Sequence, residues 1–168
     1  MHIRRGIIAV AICALLFVGT SAERRVAMAG APNACTLLTT ADASTALEAS
    51  STAGHLLVAG SPTDCVWSDD PAVGDTSRRV VVSTHSPIAY NAAKHPAITT
   101  IQIEPVPGIG DDAFYQIYPH GQSPFIWARK GSTAISVRII TSAEPKPFTQ
   151  AQEKAKLLVL ARAVVAKL

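Results

Sequence analysis

The chain has 168 residues, of which 48% are hydrophobic and 16% charged, and its formal net charge is +3 at pH 7. This length fits one domain, and the composition excludes disordered, collagen-like and coiled-coil proteins. Arg4 and Arg5 fall in a predicted leader, so 13 of the 15 basic residues remain against 12 acidic ones, a net charge of +1. Domains that bind nucleic acid show a larger, clustered basic excess, so nucleic acid is not an expected partner.

Residues 1–22 have the organisation of a secretory signal peptide. Arg4 and Arg5 precede an apolar run of 12 residues at 7–18, and small residues follow at 20–22. Basic, apolar and small-residue regions in this order predict export and cleavage after Ala22. The apolar run is shorter than the roughly 20 residues that a spanning helix needs, so we expect no transmembrane segment in the mature chain. The predicted location is extracytoplasmic, either periplasmic or secreted.

Other interpretations of this leader remain open. The Ala27-Met28-Ala29 segment is a second possible cleavage site, although it lies far from the apolar run. Arg4-Arg5 also resembles a twin-arginine signal. Cys13 suggests a lipoprotein, but it lies inside the apolar run and follows Ile12 where a small residue is expected.

Loss of Cys13 with the leader leaves two cysteines, Cys35 and Cys65. An even cysteine count in an oxidising compartment predicts one disulfide. Closing a loop of about 30 residues stabilises a fold by roughly 3.5 kcal/mol in the chain-entropy model. A metal site is the alternative, and it is weakly supported because neither cysteine has a histidine or a second cysteine at ligand spacing.

The pattern of apolar, capping and turn residues predicts a flexible arm at 23–33 and a single α+β domain at 34–168. The predicted elements, in chain order, are a helix capped by Thr39 or Thr40, a loop at 50–63, strands at 65–68 and 79–85, a short helix at 88–95, strands at 98–103, 113–118, 124–130 and 133–141, and a helix at 147–168. The last three strands follow one another closely, which is typical of an antiparallel meander. We therefore expect an antiparallel sheet of about five to six strands with two or three helices packed on it.

Two predicted elements show which sides are buried. In the last strand Ile135, Val137 and Ile139 alternate with Ser136 and Arg138, so one face of the sheet is predicted to be buried and the other partly exposed. The final helix carries an apolar stripe with helical spacing, formed by Leu157, Leu160, Ala161, Val164 and Leu168. This stripe predicts a helix packed on the sheet, with a membrane-surface helix as the alternative.

No motif in the sequence predicts a catalytic residue or a cofactor. Asp111 and Asp112 follow two glycines and form a weak candidate cation site, but glycines and aspartates of this kind are also typical of a turn. No Gly-x-Ser-x-Gly segment is present. The alternative to a non-enzymatic function is a small enzyme that uses dispersed acids and histidines, such as Asp111, Asp112 and His85.

Several aromatic residues cluster between positions 114 and 127. Because the two faces of a hairpin point in opposite directions, some of them are expected to lie outside the core. Tyr115, Tyr118 and Trp127 are the predicted binding residues, and Arg129 could receive an anionic group. The expected partner is a small apolar or anionic ligand, or a protein of the cell envelope.

Four segments together suggest a family resemblance. They are ACTLLT at 34–39, CVW at 65–67, VPGIGDDAFY at 106–115 and WARKG at 127–131. The pattern resembles small exported bacterial domains of unknown function, of the secreted-protein or lipoprotein type. It is also similar, more distantly, to extracellular sensor domains of bacterial serine/threonine kinases. The resemblance supports the fold more than an activity. Together with the absence of catalytic motifs, it favours a non-enzymatic binding or sensor-like domain of the bacterial envelope, with a purely structural interaction protein as another possibility.

Overall fold

The computed structural model describes residues 32–70, 77–141 and 146–168, so the predicted signal peptide lies outside the described residues. A 3-10 helix at Ala34–Thr36 precedes three α-helices and seven strands. The helices are α1 (Thr40–Leu47), α2 (Pro87–Lys94) and α3 (Gln150–Ala166). The strands are β1 (His55–Leu56), β2 (Asp64–Ser68), β3 (Arg78–His85), β4 (Gln102–Pro105), β5 (Asp112–Ile117), β6 (Phe125–Lys130) and β7 (Thr133–Thr141).

All seven strands belong to one antiparallel sheet with the order β1-β2-β3-β7-β6-β5-β4. The sheet consists of two meanders, β1 to β3 and β4 to β7, which meet where β3 pairs with β7. Helix α2 lies on the connection between the two meanders. The predicted α+β class and the C-terminal meander are therefore confirmed.

The sheet has one or two strands more than the predicted five to six. Strand β1 lies in the segment predicted to be a loop, at 50–63. It has only two residues, too few to show a period, and it forms because His55 and Leu56 pair with Val66 and Cys65. The strand predicted at 98–103 is also displaced, since β4 begins at Gln102 and ends at Pro105.

Side-chain caps determine where the helices begin. Thr39 accepts from the backbone N–H of Asp42, whose carboxylate accepts from the backbone of Thr39, and this reciprocal pair fixes the start of α1. Thr149 and Gln152 form the same capping box in α3. Helix α3 therefore begins at Gln150, three residues later than predicted. Among the described helices, none is long and apolar enough to cross a membrane.

The first face of the sheet, which is covered by the 3-10 helix, α1 and α3, contains the main core. The central strands contribute Val80, Val82, Ile135, Val137 and Ile139 to it. Its largest member is Trp67, which is 1% exposed. Gly54 packs directly against this indole. A Cβ at that position would come within 2.5 Å of the ring, so only glycine fits there.

A disulfide joins the 3-10 helix to strand β2. The Cα atoms of Cys35 and Cys65 are 5.0 Å apart, within the usual range for a disulfide, so the predicted bond is confirmed. Cys65 is fully buried in the first face. The bond therefore attaches the start of the described chain to the central sheet.

The second face of the sheet is only partly covered by a described helix. Helix α2 packs on β5, β6 and β7, where Tyr90, Phe114, Trp127 and Ala134 form a small second cluster. The rings of Phe114 and Trp127 stack with 6.3 Å between their centroids. No described helix packs on the second face over β2 and β3, and this region contains the candidate site.

A candidate binding site on the second face of the sheet

Strand alternation places a set of polar side chains on the second face, beside the cluster under α2. We call this set the polar face, and it comprises Asp64 of β2, Arg79, Ser83 and His85 of β3, Trp127 of β6, and Ser136 and Arg138 of β7. The strand register brings four of them into one row, in the order Asp64, Ser83, Ser136 and Trp127. Neighbouring strands in a sheet lie about 4.8 Å apart, so these side chains are close enough to interact.

Asp64 lies at one end of this row and accepts two hydroxyl groups. Ser83 donates to Oδ1 at 2.5 Å, and Thr63 donates to Oδ2 at 2.7 Å. Burial alone would raise the pKa of Asp64. The two hydroxyl donors, the protonated form that His85 takes at the acidic pH where Asp64 titrates, and the charge of Arg138 together outweigh burial, so the pKa of Asp64 is lowered. The carboxylate is therefore ionised and fixed in place at neutral pH.

His85 connects the polar row to the aromatic cluster. Its Nε2 lies 2.9 Å from the hydroxyl oxygen of Ser136, and its ring centroid lies 4.5 Å from that of Trp127. Burial lowers the pKa of His85, and the charge of Asp64 opposes this only in part. The neutral imidazole is therefore the favoured form at neutral pH. Trp127 donates its indole N–H to Gln116 at 3.0 Å, which fixes the ring under His85.

Two arginines complete the polar face. Arg79 is opposite Ile140 and Arg138 is opposite Val81, so the two arginines are diagonal neighbours on paired strands. The guanidinium of Arg138 lies 5.0 Å from the centroid of the Phe125 ring. Neither arginine forms an ion pair with a described residue, although four other basic residues do. The Nε–H of Arg79 is buried and has no described acceptor, an arrangement that typically costs about 1–3 kcal/mol.

The polar face does not assemble a nucleophile, a base and an orienting group in one chain of contacts. His85 contacts the Ser136 hydroxyl, but that serine is only 5% exposed. The carboxylate of Asp64 bonds to Ser83 and Thr63, and no described residue makes a hydrogen bond to Nδ1 of His85. Nucleophilic catalysis by a serine requires these contacts in sequence.

The dispersed acids and histidine considered for an enzyme do not come together. Asp112 and His85 lie in one row across β5, β6, β7 and β3, three strand spacings or about 14 Å apart. Asp112 pairs with Lys94 at 2.5 Å, and Asp111 accepts from the backbone N–H of Gly131 at 2.7 Å. Within the described ranges, no three acidic, histidine or cysteine residues form a group that could hold a metal ion.

The predicted aromatic binding residues lie on different sides of the sheet. Tyr115 is in the core of the first face, where its hydroxyl donates to the carbonyl of Lys154 at 2.7 Å. Trp127 lies on the polar face, and Tyr118 packs beside it on Phe125 with 5.7 Å between the ring centroids. The guanidinium of Arg129 lies 5.8 Å from the centroid of the Tyr90 ring. Trp127 is thus the one predicted binding residue in the polar row, and Tyr115 takes no part in it.

No motif in the sequence predicts Asp64, Ser136, Arg79 or Arg138 as site residues. The alternation in β7 did indicate that Ser136 and Arg138 point away from the main core. No corresponding signal was available for Asp64, because its partner Ser83 is set by the register between β2 and β3.

Comparison of the chain with models of protein families, with curated proteins and with solved structures finds no match.

Proposed function

We propose that the protein is a non-enzymatic binding domain of the bacterial cell envelope and that the polar face is its contact surface. One observation carries this proposal. The same strands that fill the core on the first face carry, on the second, the partly exposed Asp64 and His85 and two partly exposed arginines that form no ion pair with a described residue. A packed sheet gains no stability from placing two unpaired cations side by side. Such an arrangement is expected where a ligand supplies the missing contacts.

Two features support the proposed location outside the cytoplasm. The leader has the organisation of a secretory signal, and Cys35 is joined to Cys65 in the fold. Disulfides persist in oxidising compartments and are rare in the cytosol. We infer that the domain is exported and works in the periplasm or after secretion.

The chemistry of the polar face favours a ligand with both polar and apolar parts. Phe125 offers partly exposed ring surface, and Arg79, Arg138 and His85 offer partly exposed polar groups. The buried hydroxyl groups of Ser83 and Ser136 hold Asp64 and His85 in place. Binding sites of this kind combine aromatic walls with a few oriented polar groups. A small apolar or anionic metabolite, or an extended segment of an envelope protein, fits these contacts.

The test is thermal melting of the exported, oxidised protein with a panel of envelope metabolites. A ligand at 100 times its Kd stabilises a fold by about 2.7 kcal/mol, which raises the melting midpoint by roughly 5–10 °C at this size. The His85→Gln variant removes the ring between Trp127 and Ser136, and we expect it to reduce the shift caused by any ligand that raises the midpoint.

A matched control lies on the other side of the molecule. Val159 is 64% exposed and lines an apolar cavity of about 190 Å³ between α1 and α3. We expect Val159→Ser to leave the ligand-induced shift unchanged. If Val159→Ser removes the shift while His85→Gln preserves it, the ligand binds in that cavity, and the polar face is not the contact surface.

A further inference from the structure

The two arginines of the polar face, Arg79 of β3 and Arg138 of β7, differ from Arg78 of β3 in one respect. Arg78, the neighbour of Arg79 in sequence, pairs with Asp69 at 2.7 Å through its Nε. Arg79 and Arg138 point to the opposite side of the sheet, and neither donates a hydrogen bond to a described residue. One position along the strand therefore separates a guanidinium that is paired with an acid from one that forms no ion pair with a described residue.

The side chains around Arg79 and Arg138 hold the two guanidinium groups near each other. Arg138 lies over the ring of Phe125, and both arginines are partly buried. The strand register makes the two arginines diagonal neighbours. Burial and the charge of Arg79 lower the pKa of Arg138, and the charges of Tyr118 and Asp64 oppose this only in part. Arginine nevertheless stays protonated in proteins. The nearest acid of the polar face, Asp64, is occupied by Ser83 and Thr63.

We propose that Arg79 and Arg138 form an oxyanion subsite that binds the carboxylate or phosphate group of a small ligand on the polar face. This inference rests on the proposed binding function and adds the chemical class of the ligand. Planar guanidinium groups match carboxylate and phosphate oxygens in pairs of hydrogen bonds, and such charge-assisted bonds are about twice as strong as neutral ones. An oxyanion would also relieve the repulsion between the two arginines, which are partly shielded from water.

The test follows the arginine side-chain N–H signals of the oxidised protein by NMR during titration. The probes are inorganic phosphate, phenyl phosphate and benzoate, with benzyl alcohol as the neutral counterpart of the aromatic probes. We expect at least one oxyanion to bind with a Kd near 1 mM and to shift the Nε–H signals of Arg79 and Arg138. Comparison of benzoate with the two phosphates distinguishes a carboxylate ligand from a phosphate ligand.

Three variants separate charge from geometry. We expect Arg138→Gln to weaken oxyanion binding about tenfold or more, and Arg138→Lys to restore only part of it, because a lysine keeps the charge but loses the planar pair of donors. Arg162→Gln removes the same charge from the exposed surface of α3 and should leave the affinity unchanged. The NMR spectrum of each variant also reports whether it is folded.

The outcomes distinguish failure of the subsite from failure of the binding function. If no oxyanion binds at about 10 mM, or if Arg162→Gln weakens binding as much as Arg138→Gln, the oxyanion subsite is wrong. A neutral ligand that shifts only the Trp127 indole signal would leave the polar face as a binding surface without an oxyanion subsite. Ligand-induced shifts confined to the cavity between α1 and α3 would remove both proposals.

Discussion

The two faces of the central sheet share the same strands but differ in what their alternate residues do. On the first face, Val82 and Ile135 lie in a core sealed by α1 and α3, and both are fully buried. On the second face, His85 and Ser136 come from the same two strands and form a polar hydrogen bond. The larger apolar core therefore lies on the first face, while the second face carries polar side chains beside the smaller cluster under α2.

The two tryptophans show the same contrast. Trp67 is 1% exposed in the main core, against the backbone of Gly54. Trp127 is 9% exposed, and its neighbours include His85 and Gln116, which are polar. Trp67 thus serves only to fill the core of the first face, whereas Trp127 packs in the smaller cluster and also contacts polar side chains. Mutations on the two faces are expected to affect different properties.

The largest predicted effect is on the first face. Trp67→Ala is expected to lower the free energy of unfolding by about 3–5 kcal/mol, because it removes buried apolar surface and leaves a cavity that the disulfide-anchored strand cannot close. Urea unfolding measures this change. Leu57→Ala is the control, since Leu57 is 53% exposed and should change stability by less than about 0.5 kcal/mol. Equal losses in the two variants would contradict a core centred on the first face.

The second prediction concerns the bond that attaches the 3-10 helix to this face. The double variant Cys35→Ala/Cys65→Ala should lose roughly 3.5 kcal/mol of unfolding free energy, as expected from opening a loop of about 30 residues. Urea unfolding of the variant is compared with that of the oxidised and the reduced wild-type protein. Similar stabilities for the reduced wild type and the double variant would assign the loss to the bond itself. Unchanged stability would show that packing alone holds the 3-10 helix in place.

The disulfide and the buried first face could be predicted from the sequence, whereas the polar face could not. The disulfide follows from an even cysteine count, and the first face follows from alternation in β7 and the stripe of α3, which are local patterns. The pairing of Asp64 with Ser83, and of Ser83 with Ser136, depends on the register of three strands. Register over such separations is set by packing and turn lengths, which one sequence does not display.

Tyr115 illustrates the same point within a single hairpin. Tyr115 pairs with Ile126 across the strands, whereas Trp127 pairs with Phe114. Cross-strand partners share a face, so Tyr115 lies in the core with Ile126 and not beside Trp127. Both aromatic residues were predicted to bind a ligand because they belong to one cluster in the sequence. A shift of the strand by one residue would move each side chain to the opposite face of the sheet, so the cluster in the sequence does not determine which face each aromatic residue occupies.

The third prediction addresses the polar face and is smaller. Ser83→Ala removes the hydroxyl that donates to Asp64 at 2.5 Å and should lower the unfolding free energy by about 1 kcal/mol, because Asp64 is still partly solvated. The same change should raise the pKa of Asp64, since this hydrogen bond lowers it. Chemical unfolding and NMR titration of the Asp64 carboxyl measure the two effects. Ser132→Ala, in an exposed turn, is the control and should change neither quantity.

The smallest predicted effect is a pH dependence of stability that comes from His85. Burial lowers the pKa of His85 below the value of 6.5 that applies in the unfolded chain. Between these two pKa values the unfolded state binds more protons than the folded state, so the unfolding free energy rises with pH. The contribution of His85 is therefore complete above about pH 6.5 and is lost as the pH falls through the folded pKa. Asp64 also has a lowered pKa, but its contribution is lost in a separate window below about pH 4.

Urea unfolding at several pH values between about 7.5 and 5 tests this dependence. We expect His85→Gln to flatten the slope in that range, because the substituted residue no longer takes up a proton. His55→Gln replaces an exposed histidine on β1 and should leave the slope unchanged. If the slope survives in His85→Gln, His85 is as accessible to protons in the folded state as in the unfolded one. The imidazole would then not be held against Trp127 and Ser136, and the polar face would lose the contact that joins its polar row to its aromatic cluster.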